Sequence, residues 1–181
     1  MALELNGTTG VNLIQDGTVT AADLAAGAAR SNFGAGAVLQ VVSDVYTTQI
    51  SSSSTSFIDT GLSATITPTA ASSKTLILVS QHIHARQTSS SDLIVACRIL
   101  RQNDSVQLVG GTTSWFLCAA TGGTYLQKSE NSFFQFLDSP NTTSAVTYKF
   151  QTKIHLGTGS PTMFLQNASS PSMITIMEIS A

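Results

Sequence analysis

The stretch Ala145-Val146-Thr147-Tyr148-Lys149-Phe150-Gln151-Thr152-Lys153-Ile154-His155-Leu156 decides the fold class. Val146, Tyr148, Phe150, Ile154 and Leu156 share one parity, and Thr147, Lys149, Gln151, Lys153 and His155 share the other. Successive side chains of an extended strand point to opposite faces, so one face of this strand meets a core and the other meets water.

The same reading extends in both directions. Segments rich in Val, Ile, Thr, Phe and Tyr recur between clusters of Ser, Gly, Asn and Pro, at the spacing of a β-sandwich or barrel. They cover residues 38–50, 57–66, 75–85, 92–100, 106–110, 114–119, 124–128, 133–137, 145–156, 162–166 and 173–179. In the last, Met173, Ile174, Ile176, Met177 and Ile179 leave little polarity on either face, and Glu178 is the only charge. Such a strand is central in a sheet, or another chain covers its second face. Arg101-Gln102-Asn103-Asp104-Ser105 is a hairpin loop, because Asn and Asp tolerate the left-handed region. Asp138-Ser139-Pro140-Asn141 and Gly157-Thr158-Gly159-Ser160-Pro161 are breaks, and the Ser/Thr run 51–56 is a connecting loop.

Composition narrows the partners. Of 181 residues, 42% are hydrophobic and only 10% charged, where an average domain carries about 25% charged residues. Ser and Thr together occupy 49 positions, so most of the polarity is uncharged hydroxyl. Eight basic and ten acidic residues give a net charge of −2 and a pI near 5.8. A nucleic-acid binder needs a concentrated Lys/Arg footprint, which is missing. A mean hydropathy of +0.20 with small net charge argues against disorder. Apolar runs last only a few residues, as in Leu76-Ile77-Leu78-Val79, so membrane insertion is not expected. The first ten residues carry no pattern of a secretory leader, and Cys97 and Cys118 are therefore expected as buried free thiols.

Composition shifts near residue 36. Residues 1–36 are rich in Ala, Gly, Thr and Asn and form an arm; residues 37–181 form the β head. Within the arm, Thr20-Ala21-Ala22-Asp23 fits a capping-box variant and predicts a short helix over about 20–29. Val11-Asn12-Leu13-Ile14 reads as extended. So few apolar groups cannot build a core, so the arm must dock on the head, on sister copies or on a larger assembly.

No catalytic or cofactor-binding signature is present: no Gly-x-Ser-x-Gly, no phosphate loop opening a helix, no His-Glu-x-x-His. The acids are scattered, and Asp92, Asp104 and Asp138 lie in or beside turns, where they serve backbone hydrogen bonds. His82-Ile83-His84 is the one suggestive spacing, since positions i and i+2 of a strand share a face. Two imidazoles are too few for a tight metal site in a monomer. On a three-fold axis six would converge, whereas the plainer reading is two surface histidines beside Ser80 and Arg86. Among Trp115, Phe116, Tyr125, Phe133, Phe134 and Phe136 most are core, and an exposed subset could form a platform for sugar rings.

Three stretches carry a family likeness. Asn6-Gly7-Thr8-Thr9-Gly10-Val11 and Asp16-Gly17-Thr18-Val19-Thr20-Ala21-Ala22-Asp23-Leu24-Ala25 lead into Val38-Leu39-Gln40-Val41-Val42. Thr60-Gly61-Leu62-Ser63-Ala64-Thr65-Ile66-Thr67-Pro68 and the ending Ser172-Met173-Ile174-Thr175-Ile176-Met177-Glu178-Ile179 complete the pattern. Together they resemble small tail-fibre and fibre-like virion proteins of bacteriophages, cyanophages in particular. The resemblance implies a homotrimer with a jelly-roll-like antiparallel β-sandwich head. Residues 1–36 would attach it to tail or baseplate proteins, and the head would bind host polysaccharide. It implies a virion protein made in the host cytoplasm, with no catalytic, cofactor-binding or metal residues to carry over. The alternatives are a capsid decoration protein or head fibre of the same fold and, more remotely, a polysaccharide depolymerase.

Overall fold

The computed structural model describes residues 35–89, 91–110, 116–118 and 125–181. The helix expected over about 20–29 and the extended segment at Val11 lie outside these residues.

Among the described residues eleven strands make two antiparallel sheets. The first sheet contains β1 (Val38–Tyr46), β2 (Ile50–Ser52), β4 (Lys74–Gln87), β8 (Leu126–Asp138), β10 (Thr162–Leu165) and β11 (Ser172–Ile179). The second contains β3 (Ile58–Ile66), β5 (Leu93–Arg101), β6 (Val106–Gly110), β7 (Phe116–Cys118) and β9 (Val146–Leu156). Across the first sheet the order is β1-β11-β4-β8, with β10 and β2 prolonging the lines of β11 and β1. Across the second it is β3-β9-β5-β6, with β7 also on β5. The chain crosses repeatedly between sheets, and β1 lies beside β11. This interleaving is that of a jelly roll. The fold is an all-β, jelly-roll-like antiparallel sandwich.

β9 behaves as its alternation requires. Val146, Tyr148, Phe150 and Ile154 are buried between the sheets, and Thr147, Lys149, Gln151 and Lys153 face outward. Thr152 takes the remaining inward position, its hydroxyl donating to Met163 Sδ at 3.4 Å. Leu156 departs from the pattern and is exposed, because a register shift between Ile94 and Val95 turns the end of the strand. β11 is central, between β1 and β4, with Ile174 and Ile176 in the core. Cys97 is buried and free.

Three expectations about the strands need correction. Of residues 124–128 and 133–137, expected as two strands, 126–128 and 133–137 belong to the single strand β8, paired with β4 from Leu126↔Gln87 to Asp138↔Thr75. The Ser129-Glu130-Asn131-Ser132 segment between them continues the strand, because an edge strand tolerates polar residues and the segment holds neither Gly nor Pro. Residues 38–50, expected as one strand, are interrupted at 47–49, and Ser51 and Ser52, expected in a loop, pair with β10 in β2. The opposing line breaks beside it. Gln166, Ala168 and Ser169 have φ of 51°, 53° and 61° between β10 and β11. Gln49 Oε1 accepts from the Ala168 amide at 3.2 Å across the two breaks.

Glycine is required at two positions. Gly61 sits at φ 85° in the β3 bulge, where a Cβ would lie 2.3 Å from the Tyr46 ring. Gly159 sits at φ 61°, and a Cβ there would meet the Thr88 carbonyl at 2.4 Å. In the 102–105 loop the left-handed residue is Ser105, with φ 57°. The Asn103 side chain instead pairs with β9, donating to Ala145 O at 2.9 Å and accepting from the Thr147 amide at 2.9 Å.

Candidate functional site

Strand register places the side chains of the first sheet in rows. Facing outward, Val41, Met177, Leu76 and Leu137 form one row across four strands. Ser43, Thr175, Leu78 and Gln135 form the next, and Val45, Met173, Ser80 and Phe133 the third. None of the twelve is charged. Phe133 is 76% exposed, Val41 56%, Val45 54%, Leu137 48% and Met173 44%. Between β11, β4 and β8 this face hollows into an open groove of about 530 Å³, lined by Leu78, Ser80, Phe133, Gln135, Met173 and Thr175. Phe134, the next residue along, is buried and tilts against Phe150 with ring centroids 4.8 Å apart.

Beyond the groove the same face turns polar. His82, His84 and Arg86 follow Ser80 along β4, and both imidazoles do share one side. Ser129 Oγ lies 3.1 Å from His82 Nε2. His84 tilts against Phe164 at 5.6 Å, and the Arg86 guanidinium covers that ring at 4.7 Å. Burial, then the neighbouring charge of His84, lowers the His82 pKa; burial, then Arg86, lowers that of His84. Among the described residues no group of three or more His, Cys, Asp or Glu gathers to hold a metal.

The outer face of the second sheet is built differently. Asp59 accepts from Gln151 Nε2 at 2.6 Å and from Lys149 Nζ at 3.0 Å, while Arg98 Nε donates to Gln151 Oε1 at 2.7 Å. Phe57 lies beneath both Arg98, at 4.1 Å, and Lys153, at 4.9 Å. Burial opposes ionisation of Asp59, but the bonds from Gln151 and Lys149 outweigh it and lower its pKa.

Two buried acids are structural. Glu178 lies on the core side of β11 in line with Gln40, Thr75 and Asp138. Its carboxylate accepts from Gln40 Nε2 at 2.6 Å and from both the amide and hydroxyl of Thr69 at 2.7 Å. Burial raises its pKa, yet hydrogen bonds from Ser73, Gln40 and Thr69 prevail and lower it. Asp138, expected to serve its turn, is instead buried between the sheets. It receives Arg101 Nη1 at 2.8 Å and the Tyr148 hydroxyl at 2.8 Å, tying β8 to β5 and β9. Asp104 does serve its loop, accepting from the Val106 amide at 3.4 Å, and it also pairs with Arg101 at 2.7 Å. Among the described residues no helix is long and apolar enough to cross a membrane.

The fold and its faces define a jelly-roll-like sandwich protein with an uncharged, largely apolar region on one outer face. No family model and no curated protein matches the chain. Solved structures that match include the VP2 subviral particle of infectious bursal disease virus, at 16% identity and a TM-score of 0.34. That match covers 78% of this chain and 38% of the other. A second is the derived T=1 particle of the same virus, at 15% identity and a TM-score of 0.35, covering 78% and 36%. The chain thus spans well under half the length of those proteins.

The structures that match are particles of infectious bursal disease virus and not the bacteriophage tail fibre expected from the sequence. The stretches that suggested a fibre are Gly/Thr/Ala-rich or alternate Ile with Ser and Thr, a pattern any hydroxyl-rich jelly roll produces. Part of them lies outside the described residues. The correspondence stops at the fold, and no residue role passes from those proteins to this one.

Proposed function

We propose that this chain is a non-enzymatic virion structural protein of the capsid, a decoration or shell component that works by associating with copies of itself. The observation that carries the reading is the uncharged, largely apolar region of three residue rows on the outer face of the first sheet. Solitary soluble domains rarely leave contiguous apolar patches larger than a few hundred Å² in water. Jelly rolls serve viral shells, lectins and cupins. A cupin needs a cluster of metal ligands, and none forms among the described residues. Phe133 shares its groove with Leu78 and Met173 on the apolar side and with Ser80, Gln135 and Thr175 on the polar side.

The expected assembly is a homotrimer, and residues 1–36 supply its attachment to the shell. A hydroxyl-rich exterior is compatible with weak contacts to host glycans, multiplied by the number of copies. Labelling intact particles with an antibody to the chain tests the reading. Label over the capsid surface is expected, and particles that lack the protein would overturn it.

A further inference from the structure

Phe133 and the groove beside it form a projecting group and a receiving hollow on one uncharged face. Phe133 is the most exposed large hydrophobic residue among those described, and it stands at the rim of the 530 Å³ groove. Leu78 and Met173 supply apolar walls, with Ser80 the small residue between them and Thr175 and Gln135 beside them. The hollow has room for a phenyl ring entering from outside. The geometry points to a contact between copies of this chain in which Phe133 of one copy seats in the groove of the next.

Three observations favour a second copy as the occupant. The three uncharged rows bring no like charges together when copies meet, whereas the second sheet would set Arg98, Lys149 and Lys153 against themselves. Projection and hollow are both present on every copy, so each molecule supplies what the next one needs. Val41, Val45, Phe133, Leu137 and Met173 together leave on the order of 500 Å² bare. A stable interface takes ~800 Å² per partner, so these five residues alone account for more than half of one side. A buried aromatic seated in a pocket surrounded by neutral contacts is the usual anchor of such an interface.

The inference rests on the self-association proposed above, but its test needs only the purified chain. Particle labelling can therefore fail while the interface stands, and the reverse. Sedimentation of the full chain is expected to give an oligomer, and Phe133→Asp to weaken association by ~30-fold or more with an unchanged circular dichroism spectrum. As a second variant, the photocrosslinking residue p-benzoylphenylalanine in place of Phe133 should join residues 78–80 or 173–175 of another copy. A monomeric native chain, an oligomer indifferent to Phe133→Asp, or a crosslink into residues 1–34 of the same chain would overturn the proposal.

Discussion

The two outer faces of the sandwich use strands of the same alternating kind and end up with opposite surfaces. On the second sheet, Asp59, Gln151, Arg98 and Lys149 satisfy one another in a network, and Phe57 is roofed by two cations. That face is finished within one molecule. On the first sheet the corresponding positions hold Val41, Met173, Leu76 and Phe133, with nothing in the described chain to cover them. The contrast teaches that strand periodicity tells which residues share a face, while only chemistry tells whether that face is complete.

The sharpest way to break this comparison is to cut what joins the two sheets. Arg101→Ala leaves the Asp138 carboxylate buried with its tyrosine partner but no cation, and should cost about 3 kcal/mol by urea unfolding. A much smaller loss would mean that the sheets are held by packing alone. Next comes a matched pair of phenylalanines. Phe57→Ala removes two cation–π contacts and should cost about 1–2 kcal/mol without changing oligomeric state. Phe133→Ser should change the monomer's stability by under ~0.5 kcal/mol and act on association instead. If the two swap behaviours, the assignment of finished and unfinished faces is reversed.

Smaller effects separate the faces further. Lys149→Met should cost under ~1 kcal/mol, and the loss should shrink in 1 M salt, because the pair with Asp59 is partly exposed. Adding salt should leave the apolar face intact or strengthen its association.

The smallest effect belongs to His82 and His84. Ser129, Phe164 and Arg86 are their neighbours, and both pKa values lie below the ordinary 6.5. The unfolded chain therefore binds more protons than the folded one. The stability that the neutral rings confer is complete above that value and is lost as pH falls through the lowered ones. Melting temperatures should drop slightly between about pH 7.5 and 5, and the drop should flatten in the His82→Gln, His84→Gln double variant. The carboxylates with lowered pKa, Asp59, Asp104 and Glu178, titrate below this window.

Much of the architecture was legible wherever one face was wet. β9 alternates cleanly because Lys149, Gln151 and Lys153 mark its outer side. The final strand was read as central or covered by another chain, and β11 is central with its outer side half-bare. The candidate site was not legible, because an apolar residue awaiting a partner looks the same in sequence as one in the core. Phe133 and Phe134 differ by one position and by nearly the full range of exposure. The roles of Asp138 and Glu178 were hidden for a related reason. Their partners, Arg101, Tyr148, Gln40 and Thr69, come from distant parts of the chain. The break at residues 47–49 lacks Gly and Pro and left no local signal.

The pairing of β1 with β11 has a consequence for the making of the protein. Val38 lies opposite Ile179, so β1 cannot find its neighbour until β11 has been synthesised. At roughly 5–20 residues per second this keeps a half-built sheet open for many seconds. Such long-range pairing also places folding among the slow cases, where loop closure precedes any reward. During that interval the inner and outer apolar sides of β4 are equally bare. Copies emerging from neighbouring ribosomes could then meet through the wrong surface, so sparse initiation or a chaperone would raise the yield of assembled protein.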